Sequence, residues 1–175
     1  MLNRWLLFIL LFCSSSYAAP ENQGKGKITV SGEIVESACT ISTDDIWQEI
    51  DFGNLSLGEF ADGNTPASKP LSIQLINCTL DKKNGGVWSS ASITFDGERD
   101  EHSKNMFAVT GDGKGVAINL TDINGNKAIP GQPLPAVAVQ EDKTNLTFNL
   151  FLERNGDVLT PGKLSSFIRF MVSYQ

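Results

Sequence analysis

The chain has 175 residues, 41% of them apolar, with one histidine, three cysteines and a formal charge of −6. That length supports one domain with a proper core and leaves little room for two. An acidic chain without a Lys/Arg cluster argues against nucleic acid or an anionic membrane surface as a partner.

Residues 1–18 read as a secretory signal peptide. Arg4 supplies the positive start, Trp5 to Phe12 the apolar run, and Ser16-Tyr17-Ala18 a small-x-Ala cleavage pattern, which places the cut after Ala18. The apolar run is well short of the roughly 20 residues that a spanning helix needs. The mature protein is therefore expected to be soluble and exported. Cleavage removes Arg4, taking the formal charge from −6 to −7, and removes Cys13. Cys39 and Cys78 remain, and two thiols in an oxidising compartment are expected to form one disulfide.

Ala19 to Gly26 is polar and punctuated by Pro and Gly, a flexible leader. Sharp alternation follows: Ile28, Val30, Gly32 and Ile34 share one face of an extended segment, and Lys27, Thr29, Ser31 and Glu33 the other. Gly32 stands out on the dry face, because Gly in a strand marks a close backbone approach or a bulge. Ile34 to Ile41 continues extended through Cys39, and Trp47 to Phe52 alternates less cleanly. Asp62 to Pro66 reads as a loop. Leu71, Ile73, Leu75 and Asn77 oppose Ser72, Gln74, Ile76 and Cys78 in a strand. Further strands are expected over Ala91 to Phe95, Met106 to Val109, Val116 to Leu120, Ala136 to Val139 and Leu146 to Leu152, the last apolar on both faces as in a central strand. Asn124-Gly125-Asn126 signals a tight hairpin. The chain ends on Ile168, Phe170, Val172 and Tyr174, all on one face of a final strand that carries large apolar groups to within a residue of the terminus. Such an edge calls for a partner strand. No helix of ordinary length is expected, and short strands between Gly, Pro, Asn and Asp turns read as a β-sandwich.

The dry-faced segment from Gly26 to Cys39, the Asn77-Cys78 pair and the terminal Phe170-x-Val172-x-Tyr174-Gln175 together resemble the subunits of bacterial pili assembled by the chaperone–usher pathway. The resemblance covers essentially the whole mature chain. It implies an all-β, incomplete immunoglobulin-like sandwich of six strands, with the seventh missing and an N-terminal donor-strand extension at residues 19–33 ahead of a pilin domain at 34–175. It implies that Ile28, Val30 and Ile34 are knobs for a neighbour's groove, with Gly32 passing where that groove is too shallow for a side chain. It also implies that Ile168, Phe170, Val172 and Tyr174 line the chain's own groove and zip to a chaperone strand anchored at the Gln175 carboxylate. The implied partners are a periplasmic pilus chaperone, an outer-membrane usher and neighbouring pilin subunits, and the implied destination is the cell-surface pilus (fimbrium). Trp47 to Gly53 and Thr94 to Arg99 look most like the terminating, cell-anchoring subunit of P-type pili.

Signals for other chemistry are weak. His102, the only histidine, lies in a charged loop with no free thiol to partner it, so no catalytic residue is expected and the chain is read as a non-enzyme. Gly111-x-Gly113-x-Gly115 lacks the helix and Gly-Lys-Ser/Thr of a phosphate loop and reads as a flexible hairpin. Asp122-x-Asn124-Gly125-Asn126 lacks the later Glu of a calcium loop. No metal, cofactor or small-molecule substrate is expected. The alternative reading is a self-contained secreted β-sandwich adhesin or carbohydrate-binding module.

Overall fold

The computed structural model describes residues 27–32, 37–60 and 67–175. The expected signal peptide, leader, Ile34 and loop at 62–66 lie outside those residues. The chain divides into Met1–Ile34 and Val35–Gln175, taken separately below.

Among its described residues the second unit has ten β segments and two short 3-10 turns: β1 (Thr40–Ile41), β2 (Ala67–Cys78), β3 (Ser90–Gly97), β4 (Thr110–Gly111), β5 (Val116–Asp122), β6 (Gln132–Pro133), β7 (Val137–Ala138), β8 (Asp142–Arg154), β9 (Leu164–Ser165) and β10 (Ile168–Tyr174), with turns at Thr43–Asp45 and Leu57–Phe60. One sheet has the order β1-β2-β8-β5; a second has β10-β3-β6, with β7 also on β3; β4 and β9 pair separately. Every pairing is antiparallel. This is an all-β, immunoglobulin-like sandwich.

Alternation explains the core. β8 turns Leu146, Phe148, Leu150 and Leu152 inward, and Leu71, Ile73 and Leu75 of β2, Ile118 and Leu120 of β5 and Ile93 and Phe95 of β3 meet them in one buried cluster. The rings of Phe95 and Phe148 meet edge to face at 5.0 Å between centroids, across the two sheets. β8 is central as expected, between β2 and β5. Its outer face differs from the expectation: Asn145, Thr147 and Asn149 lie there, and Phe151 is its one large apolar group, because that face looks to solvent.

The register of β2 departs from the sequence reading in an informative way. Simple alternation puts Asn77 inward with Leu75, but a bulge between Ile76 and Cys78 shifts the pairing with β8 by one residue. Asn77 sits at φ 52°, a left-handed conformation that asparagine tolerates better than most residues. The slip turns Cys78 into the core instead, where it is disulfide-bonded to Cys39 with Cα atoms 4.1 Å apart.

Three other expectations are corrected. Trp47 to Phe52 forms no strand. The β2 edge beside it is already satisfied by side chains: the Gln74 N–H donates to Asp45 Oδ2 at 2.7 Å and Gln48 Nε2 donates to the Ser72 carbonyl at 2.9 Å. Gly111, Gly113 and Gly115 form a close backbone seam rather than a flexible hairpin. A Cβ built at Gly115 would lie 2.6 Å from Leu159 Cα, and one at Gly162 2.5 Å from the Gly113 nitrogen. Met106 to Val109 likewise makes no full strand, although Phe107 exchanges two 2.9 Å backbone bonds with Ile118.

Asn77→Val is expected to destabilise the domain by about 1–2 kcal/mol, the penalty for a branched side chain in the left-handed region, whereas Asn77→Gly is nearly neutral. Urea unfolding midpoints of the oxidised proteins check this. An Asn77→Val variant as stable as the parent would mean the bulge does not depend on asparagine.

Candidate functional site: an open groove beside the C-terminal strand

β10 pairs with β3 along its whole length, from Ile168↔Gly97 to Tyr174↔Ala91. No strand pairs with its other edge among the described residues. The consequence shows in burial. Ile93 and Phe95 of β3, flanked on both sides, are buried, whereas Ile168, Phe170, Val172 and Tyr174 point to the same core and are each only partly buried.

β10 is nevertheless held firmly. At its start, Gly113 N donates to the Lys163 carbonyl, Lys114 and Thr160 exchange two bonds, and β4 pairs with β9, so the glycine seam fixes the chain that feeds the strand. At its end, Gln175 N donates to the Ser90 carbonyl at 2.9 Å and the Gln175 carbonyl accepts from Ser89 N at 2.8 Å. The free edge is thus preformed rather than frayed.

The segment from Cys39 to Trp47 runs alongside that edge in the opposite direction. At one end the Tyr174 hydroxyl donates to the Cys39 carbonyl at 3.3 Å. At the other the rings of Trp47 and Phe167 lie 6.4 Å apart. Both contacts are made by long side chains, and no backbone hydrogen bond joins residues 37–60 to β10 among the described residues. Between the two walls lies a groove of about 1180 Å³. Its floor is the core itself, including Leu71, Phe95, Ile118, Leu120, Leu150 and Leu152, and its walls carry Ile50, Phe52 and Leu55 on one side and Ile168 and Phe170 on the other.

Ile168, Phe170, Val172 and Tyr174 share one partly buried strand face, of which Ile168 and Phe170 line the groove while Val172 and Tyr174 lie outside its lining. Gln175 is tied through its backbone to Ser89 and Ser90. Of the expected donor residues, Ile28 and Val30 are 91% and 88% exposed, and residues 27–32 form no strand. The sequence reading missed the Trp47–Phe167 and Tyr174–Cys39 contacts, since aromatic side chains so far apart in sequence announce no mutual register. His102 lies at the protein surface 4.0 Å from Asp157, away from the groove lining. No cluster of three metal-ligating side chains occurs among the described residues.

A sandwich whose interior is open along one edge defines an immunoglobulin-like β domain with an unfilled groove. Comparison with known proteins supplies the family. The family model described as fimbrial protein matches residues 28–175, and the chain belongs to that family. It is 32% identical over 152 residues to the PAP fimbrial minor pilin protein of Escherichia coli, covering 86% of this chain and 77% of that protein. It is 26% identical to the Fimbria A protein of Serratia marcescens over 99% of both chains. Among solved structures it is similar to the P pilus rod subunit PapA, with a TM-score of 0.71 and 25% identity over 79% of this chain and all of that one.

Burial raises the Tyr174 phenol above its ordinary value, with the Ser37 hydroxyl opposing the shift. The unfolded chain then releases this proton before the folded chain does, so the associated stability is intact below pH of about 10 and declines as pH climbs through the folded value. Thermal unfolding between pH of about 9 and 11 is expected to show this alkaline loss in the parent and a smaller one in Tyr174→Phe. Identical pH profiles would remove Tyr174 as its source.

Proposed function

We propose that this chain is a non-catalytic structural subunit of a chaperone–usher pilus, which accepts one strand in the groove beside β10 and donates another from its N-terminal extension. The half-buried face of β10 carries this reading. β10 is seven residues long, about 24 Å at strand rise, and presents four core-facing side chains. Ile28, Val30, Gly32 and Ile34 also occupy four alternate positions within seven residues. A strand added to the free edge gains main-chain hydrogen bonds, and its alternate side chains enter the groove and set specificity. Burying each large aliphatic side chain contributes roughly 1.5–3 kcal/mol. During export a periplasmic chaperone lends this strand, with the Gln175 carboxylate as its anchor. At the outer-membrane usher a neighbouring subunit's extension replaces it, and the product is displayed at the cell surface. Cleavage of residues 1–18 frees residues 19–33 as the donating arm ahead of the domain at 34–175.

The test is a synthetic peptide spanning residues 26–35 titrated into the full chain released from its chaperone. Its binding is expected to raise the melting temperature, and Phe170→Asp to abolish the rise. A parent chain that melts at the same temperature with saturating peptide as without it would refute groove occupancy. A self-contained adhesin would behave that way.

A second reading, the terminating and anchoring subunit, in which no neighbour's extension replaces the chaperone's strand, is favoured by one observation. The Trp47 and Phe167 rings meet from opposite walls where β10 begins, so a strand entering there must part them. The likeness to P-pilus minor pilins points the same way. The chaperone-bound parent is expected to resist displacement by a pilin extension peptide, and Trp47→Ala to permit it. Rapid displacement from the parent would overturn the terminating role.

A further inference from the structure

Ala38, the first buried residue among those described, lies at the root of a hairpin. Thr79 N donates to the Ala38 carbonyl at 2.8 Å, so the base of the 79–88 hairpin is bonded to the point where the domain begins. The hairpin is closed by Trp88 N to the Leu80 carbonyl at 2.7 Å, by Lys82 N to the Gly86 carbonyl at 3.0 Å and by an Asp81↔Val87 bridge. Lys82 Nζ stands 4.1 Å over the Trp88 ring, and that ring packs edge-on against Tyr174. The hairpin thereby presents a surface on which Val87, bridged through its backbone to Asp81, is 58% exposed.

Chain length decides what this surface meets. Four residue steps separate Ile34 from Ala38, which caps the distance between them at about 14 Å. Once Ile34 is seated in an acceptor's groove, the hairpin cannot be far from the rim of that groove. We propose that the 81–88 hairpin is a second docking surface, and that its occupant is the folded domain of the subunit whose groove holds this chain's extension. Val87 supplies the apolar contact, and Lys82 suits an acidic rim of the kind Glu49 and Asp51 form along this chain's own groove. The inference rests on the donor-strand reading of residues 28–34. It adds a body-to-body contact that fixes how one subunit is oriented on the next.

The experiment uses pili sheared from cells that express the full chain, with heat-induced release of this subunit from its neighbour as the readout. A photo-crosslinking residue at position 87 is expected to give an adduct with one further pilin. Val87→Asp is expected to release roughly tenfold faster than the parent, since interface substitutions act mainly on dissociation. Gly32→Asn, which alters the extension and leaves the hairpin intact, is expected to prevent incorporation altogether. Parent-like release of Val87→Asp, or no adduct from position 87, would overturn the docking surface while leaving strand exchange standing. Normal incorporation of Gly32→Asn would instead strike at the donor-strand reading.

Discussion

The structure depends on one unpaired edge. A core-facing side chain in a sheet is covered below by the opposite sheet and on its flanks by side chains of the two adjacent strands. β3 has both neighbours and buries Ile93 and Phe95; β10 has one, and Ile168, Phe170, Val172 and Tyr174 remain half open although they point into the same interior. Hydrophobic stabilisation scales with apolar area removed from water, so the domain holds a large favourable term that only a further strand can release. An edge of this kind ordinarily invites indiscriminate pairing. Here it forms one wall of a groove whose facing wall limits what can approach.

Those walls stay open for identifiable reasons. Asp45 and Gln48 satisfy β2 through their side chains, so the backbone from Trp47 to Phe52 never enters the β2 ladder and remains one wall of the groove. The other wall is anchored by the glycine seam, where backbone lies directly on backbone because no Cβ intervenes. The bulge at Asn77 turns Cys78 inward, and the disulfide then fixes Cys39, whose carbonyl receives the Tyr174 hydroxyl. One slip in register on β2 thus locates the far end of the groove.

The sequence carried the parts with strict periodicity. The four inward residues of β10, the central position of β8, the Asn124-Gly125-Asn126 turn and the incomplete sandwich were legible from alternation, turn chemistry and family likeness. What escaped was set by long-range geometry. Asn77 and Cys78 exchange faces because of a bulge that alternation cannot reveal. Trp47 to Phe52 has a strand-like pattern without a strand because its potential partner edge is capped by side chains. The three glycines signalled freedom, and the fold uses them for proximity instead. The facing of Trp47 and Phe167 depends on how the segment before β2 lies against the last strand, which no local pattern encodes.

The durability of a joint made this way is underestimated if only the incoming side chains are counted. Withdrawing a strand would return Ile28, Val30 and Ile34 to water, and in the same motion re-expose the flanks of Ile168, Phe170 and Val172 and break the main-chain ladder on β10. These losses are concerted, because a strand cannot leave one residue's hydrogen bonds in place while its neighbours move through the same narrow groove. The barrier to leaving such a groove therefore draws on apolar surface from both strands at once. Exchange of one strand for another along a preformed edge avoids ever exposing the whole groove, which is why a firmly held β10 matters more to this domain than a flexible one would.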